Sequence, residues 1–145
     1  MESSPADQVR FKIASKNINN PVFLEPAILI SMSPKEVLEK IVEIFNTGNV
    51  SEVESIYSSD YIDHQKPEGM QIDGPGEFKQ IVQGARKSLP NLKVTIEDVI
   101  TQNEKVVARL QWHSVDNNGK KIERETIDIL HFENGKAVEH WGAEA

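Results

Sequence analysis

"KSLPNLKVTIED", residues 87–98, is where the chain changes its period. Before it, Phe78, Ile81, Val82, Ala85 and Leu89 recur at helical spacing. Pro90, which lacks the backbone N–H a helix needs, stops the run. After it, Leu92, Val94 and Ile96 alternate with polar residues, the period of a half-buried strand. This one stretch therefore divides a helical part of the chain from a β part.

Toward the N-terminus the helical signals continue. "SPKE" at 33–36 starts a helix: Ser33 as N-cap, Pro34 at the first helical position, and Glu36 closing a capping box. Val37, Leu38, Ile41, Val42 and Phe45 mark its apolar face, and Gly48 ends it. A second capping signal stands at Asn49, and Gly74-Pro75-Gly76 opens the helix that Pro90 stops. Toward the C-terminus, 105–115 and 120–132 read as strands joined by the Asn117-Asn118-Gly119 turn. Asn134-Gly135 turns the chain into a last strand. Three helices followed by a four-stranded antiparallel meander predict an α+β domain over residues 33–145. Residues 1–32, rich in Pro and Asn, read as an N-terminal extension. It is either loosely attached or an arm on a neighbouring subunit, with a short strand predicted over Val9–Ala14.

Composition narrows the function. A chain of 145 residues, 38% hydrophobic and 27% charged, suits one globular domain with its own core. The absence of cysteine excludes disulfides, thiolate catalysis and Cys-zinc sites. A net charge of -7 with no basic run argues against nucleic acid. No apolar run is long enough to span a bilayer, and the N-terminus lacks the pattern of a signal peptide, so the expected location is the cytoplasm. No histidine pair or His-carboxylate cluster has metal-ligand spacing, and no phosphate-binding glycine loop occurs, so no metal and no cofactor are expected.

Polar residues on the predicted strands are the candidate chemistry. Asp128 in "ETIDILHF" shares a strand face with Thr126, Leu130 and Phe132. Among apolar neighbours, desolvation raises a carboxylate's pKa toward that of a useful general base. The alternative places Asp128 in solvent or against Arg109 or Arg124. In "NGKAVEHWGAEA" (134–145), His140 lies on the side of Val138 and Gly142 and is a candidate proton shuttle, or a histidine satisfied by a structural partner.

Five stretches carry a resemblance: "IFNTGN" (44–49), "SDYIDH" (59–64), "GPGEF" (74–78), "LPNL" (89–92) and "ENGKAVEHW" (133–141). In this order and spacing the chain resembles the SnoaL-like polyketide cyclases of the NTF2-like superfamily, over about residues 33–145. The resemblance implies a cone-shaped fold, with three helices packed on a curved antiparallel sheet. It also implies a cofactor-free aldol ring closure of a polyketide-like ester. In these cyclases an Asp of the last strand acts as acid/base and a His on the preceding strand assists. Those two positions fall on Gly142 and Asp128, so neither identity matches. The segment around Tyr61, Asp63 and His64 lines the pocket in similar proteins. The candidate set is then Asp128, His140 and His64 for proton transfer, with Tyr61, Asp63, Leu130, Trp141 and Glu144 contacting substrate.

These readings predict a cavity lined by Tyr61, His64, Asp128 and His140. Its ligand would be an apolar, oxygenated small molecule that undergoes proton abstraction next to a carbonyl. A small pocket cannot hold Trp112, Trp141 and His140 together, so a homodimer burying the outer sheet face is also expected. The rival reading is a non-catalytic ligand-binding or dimerisation domain of the same fold.

Overall fold

The computed structural model describes residues 32–70 and 73–145, of which Ser33–Ala145 form one compact unit. The strand predicted over Val9–Ala14 and the rest of the extension lie outside the described residues. Helix α1 (Pro34–Thr47) starts with the predicted capping box. The Ser33 hydroxyl accepts the Glu36 N–H, and the Glu36 carboxylate accepts the Ser33 N–H. Gly48 closes it at φ 77°, where a side chain would also run into the Arg86 guanidinium. Arg86 is there because its Nη1 donates to the carbonyls of Phe45 and Asn46. It thereby satisfies acceptors that a helix end leaves without partners.

A short α2 (Val53–Ile56) leads into β1 (Tyr57–Asp63). Helix α3 (Pro75–Ser88) follows, then β2 (Lys93–Gln102), β3 (Lys105–Val115), β4 (Lys121–Glu133) and β5 (Lys136–Glu144). The four antiparallel strands are those expected from the alternation. The fifth is not: β1 joins the sheet at its edge, parallel to β5, giving the order β1-β5-β4-β3-β2. The capping signal at Asn49, followed by Val53, Ile56 and Tyr57 on one side, predicts a second helix running into this segment. Its hydrophobic alternation is weak and its partner lies some eighty positions away in sequence, so local pattern does not reveal it.

Register shifts bend the sheet around the helices. One lies between Ile96 and Asp98 of β2 and another at the β4–β5 pair, where Phe132 faces Ala137 but His131 faces Glu139. Val138 is the extra residue of that second bulge. It lets Ala137 and His140, three positions apart, both face the helices, and it breaks the expected alternation of Val138 with His140. Asn46 fastens α1 to the bent edge: its side-chain amide donates to the Val94 carbonyl at 3.0 Å and accepts the Val94 N–H at 2.6 Å. Among the described residues no helix is long and apolar enough to cross a membrane.

Between helices and sheet the core does not close. Val37, Leu38 and Ile41 of α1, Phe78 and Val82 of α3, and Val94, Val106 and Leu110 of the sheet are buried. Beside them, aromatic rings form a continuous wall. Trp112 meets Phe45 edge-on at 5.1 Å, Phe45 meets Phe78 at 5.6 Å, Phe78 stacks on Tyr57 at 4.2 Å, and Tyr57 meets Tyr61 at 4.6 Å. This wall borders a cavity of about 430 Å³, within the range of small-molecule sites.

Candidate active site

The polar floor of the cavity is assembled from three adjacent strands. On β4, Thr126, Asp128 and Leu130 point inward; on β5, His140, Gly142 and Glu144; on β1, Tyr61 and Asp63. Asp128 is the Cα partner of Gly142, and Asp63 that of His140. These registers bring an imidazole between two carboxylates. His140 Nδ1 lies 2.8 Å from Asp63 Oδ1, and His140 Nε2 lies 2.7 Å from Asp128 Oδ1.

Each carboxylate is also held from its other side. The Tyr61 hydroxyl donates to Asp63 Oδ2 at 2.9 Å, and the Gln65 backbone N–H donates to Asp63 Oδ1 at 2.9 Å. The Trp112 indole, a donor only, gives its N–H to Thr126 Oγ1 at 2.9 Å. Thr126 therefore spends its own proton on Asp128 Oδ2, at 2.6 Å. The chain of bonds runs Trp112, Thr126, Asp128, His140, Asp63, Tyr61, with donors at both ends and anions between. Burial disfavours charge on His140. The hydrogen bonds and charges of Asp128 and Asp63 outweigh it and raise its pKa to about 9. For Asp63, burial is overcome by the bond and charge of His140 and by the Gln65 and Tyr61 donors, and its pKa falls below the usual carboxylate range. Burial, with the negative groups beside them, raises Tyr57 and Tyr61, which stay neutral. At neutral pH the centre is thus an imidazolium bridging two carboxylates.

Glu77 is a further member that the sequence reading passed over, although it stands in the quoted "GPGEF". It is fully buried, accepts the Asp63 N–H at 3.1 Å and pairs with Lys66 Nζ at 3.3 Å. It ties the start of α3 to the edge strand, and so holds the backbone that carries Asp63.

Two expected site residues lie elsewhere. His64 and Trp141 do not line the cavity: both are on the outer sheet face, their rings stacked at 4.9 Å, with His64 Nε2 2.7 Å from Glu139. The cause is strand parity. Once Tyr57–Asp63 is a strand, Tyr61 and Asp63 face inward, and Ile62 and His64 outward. Asp63, not His64, is the partner that reaches His140. Tyr61, Leu130 and Glu144 do border the cavity, Glu144 at its exposed rim with Arg124 Nη1 3.8 Å away. Asp128 neither points to solvent nor pairs with Arg109, which engages Asp98 and Glu125 instead.

Helices on a curved sheet, enclosing a cavity with a titratable floor, define a class of α+β domains with an open interior. The family follows from the sequence: the SnoaL-like polyketide cyclase profile matches residues 35–144, and the chain belongs to that family. A protein of Bacillus cereus ATCC 10987, assigned as a polyketide cyclase, is 32% identical, with 79% of each chain covered and a TM-score of 0.67. Two more distant structures share the fold. IdmH of Streptomyces antibioticus, also assigned as a polyketide cyclase, has 16% identity, 78% and 92% coverage and a TM-score of 0.69. A SnoaL-like polyketide cyclase of Agrobacterium tumefaciens C58 has 13% identity, 79% and 92% coverage and a TM-score of 0.67. No curated protein matches the chain.

Proposed function

We propose that this protein is a cofactor-free enzyme that removes a proton next to a carbonyl in an apolar, oxygenated, polyketide-like small molecule, leading to isomerisation or aldol ring closure. One observation carries the reading: the Asp128 carboxylate, bonded to His140 and Thr126, faces a cavity whose other walls are aromatic and aliphatic. The fixed donors orient the carboxylate, and the apolar walls suit a planar carbonyl compound. In the step itself the C–H bond breaks and its proton passes to Asp128. The electron pair forms a C=C bond as the carbonyl π pair moves to oxygen. His140, bridging Asp128 and Asp63, compensates the charge, and it passes the proton onward only by giving its Nδ1 proton to Asp63 as Nε2 receives the one from Asp128. We also propose a cytoplasmic location, which a cysteine-free composition fits.

The test needs no natural substrate. In D2O the protein should exchange the α-protons of 2-tetralone, followed by NMR, well above the buffer rate. Binding of 2-tetralone with no exchange beyond buffer would overturn the enzymatic reading. It would favour a ligand-binding domain, for which Gly142, standing where the family's acid/base carboxylate is expected, is the supporting observation.

We further propose a homodimer across the outer sheet face. Ile62 and Ile127 there are 45% and 37% exposed, beside the stacked His64 and Trp141. Exposed apolar side chains of this kind are what association removes from water. Light scattering at micromolar concentration should give twice the chain mass, and Ile127→Lys should shift the protein to monomer. A monomeric wild type would remove this proposal.

A further inference from the structure

Gly142 lies in ordinary strand backbone, not in the left-handed region, so its conformation alone does not call for glycine. Space does. A Cβ built on Gly142 would lie 2.0 Å from Gln65 Oε1, 2.9 Å from Gln65 Cδ and 2.8 Å from Asp128 Oδ1. The Gln65 amide therefore occupies the volume that any side chain at position 142 would take. Its backbone is pinned at that spot, since the Gln65 N–H donates to Asp63 Oδ1. Gln65 is exposed overall but its side chain borders the cavity, and among the described residues its amide makes no hydrogen bond to the protein.

Gln65, in the turn after β1, thus brings a neutral amide to the same small volume that Asp128 faces from β4, over Gly142 of β5. A half-turn about Cγ–Cδ exchanges its oxygen and nitrogen ends without changing its shape, so a donor or an acceptor can be offered to whatever sits there. A carboxylate and an amide N–H around one point are what a carbonyl compound needs as it loses an α-proton: an acceptor at the C–H and a donor at the oxygen.

We infer that Gln65 is the residue that holds the substrate's carbonyl oxygen, and that position 142 is glycine to leave the amide room. This rests on the proton-abstraction reading. As Asp128 takes the proton, the C–H pair forms the C=C bond and the π pair moves to the oxygen that accepts the Gln65 N–H. The substrate oxygen is then a ketone or ester rather than a carboxylate, because Asp63, Asp128 and Glu144 outnumber His140 and Arg124 among the charged groups bordering the cavity.

The probe is 2-naphthol, a planar mimic of the enol, with naphthalene as its oxygen-free counterpart, each titrated by calorimetry or fluorescence. Gln65→Ala should weaken 2-naphthol about tenfold, the value of one hydrogen bond, and leave naphthalene within about twofold. Gly142→Ala should weaken 2-naphthol by a similar factor by displacing the amide. The double variant should bind no more weakly than either single one, because both remove the same contact. A 2-naphthol affinity indifferent to Gln65, including no binding by the wild type, overturns the inference, as do losses that multiply in the double variant. The 2-tetralone exchange separates this from the reading beneath it. Gln65-dependent binding without wild-type exchange sinks proton abstraction and keeps the oxygen contact. Exchange that survives Gln65→Ala with unchanged 2-naphthol binding sinks the contact and keeps proton abstraction.

Discussion

Replacing His140 by Leu should lower the unfolding free energy by about 3–5 kcal/mol near pH 6, the usual cost of removing one partner from a buried ionic group. Leucine fills most of the volume, so a void is not the reason. The reason is that Asp63 and Asp128 each lose a charged donor, at 2.8 and 2.7 Å, and face one another uncompensated. Tyr61, Gln65 and Thr126 still donate to them but carry no charge.

The pH dependence distinguishes this from loss of packing. His140 has a pKa of about 9 in the folded protein against 6.5 for a free imidazole. A raised folded pKa gives stability that is complete below the unfolded value and disappears as pH rises through the folded one. Its size is about 3 kcal/mol, from a preference of a few hundredfold for the protonated form. Asp63 has the opposite sign: its lowered pKa stabilises above the ordinary carboxylate range and is lost in acid. Wild-type stability should therefore be greatest between about pH 4 and 6.5 and fall toward pH 10. Urea denaturation of His140→Leu should lack that alkaline fall, so the gap between the two proteins narrows at high pH. A gap of constant size from pH 6 to 10 would mean that His140 is neutral in the fold.

The same pairings show what local sequence pattern can carry. The caps of α1, the change of period after Pro90 and the turns at Asn117–Gly119 and Asn134-Gly135 are local signals, and the structure has each of them. The resemblance puts the Asp128 position in the cavity, and alternation puts His140 and Gly142 on one face of the last strand. What was not legible depended on β1. Without that strand, the Asp63-His64 step has no inside and outside, and both members were placed at the substrate although only Asp63 faces the cavity. The bulge at Val138 hid in the same way, as one extra residue that no composition rule marks. Glu77 and Gln65 read as ordinary polar residues beside turns. Their roles come from contacts across 14 residues to Asp63 and across the sheet to Gly142.

Position 142 leaves the question of which carboxylate takes the proton, and substitution should answer it by a large margin. Asp128→Asn keeps the shape and removes the acceptor charge. It should slow 2-tetralone exchange by a hundredfold or more, as loss of a general base does. Glu144→Gln should change it by less than about threefold, the small change expected of a group that does not take part in the transfer. The two residues sit on the same sheet face, but in unlike settings. Asp128 is in mid-strand, buried, and fixed on both oxygens by Thr126 and His140. Glu144 ends β5, its side chain is 63% exposed, and its nearest charged neighbour is Arg124 at 3.8 Å. A carboxylate free to swing through water loses the geometric advantage that makes a positioned base effective. If Glu144→Gln matched Asp128→Asn in effect, the rim carboxylate would be acting in place of the missing one. If neither change slowed a measurable exchange, neither group would be the base, and the ligand-binding reading of this family member would take first place.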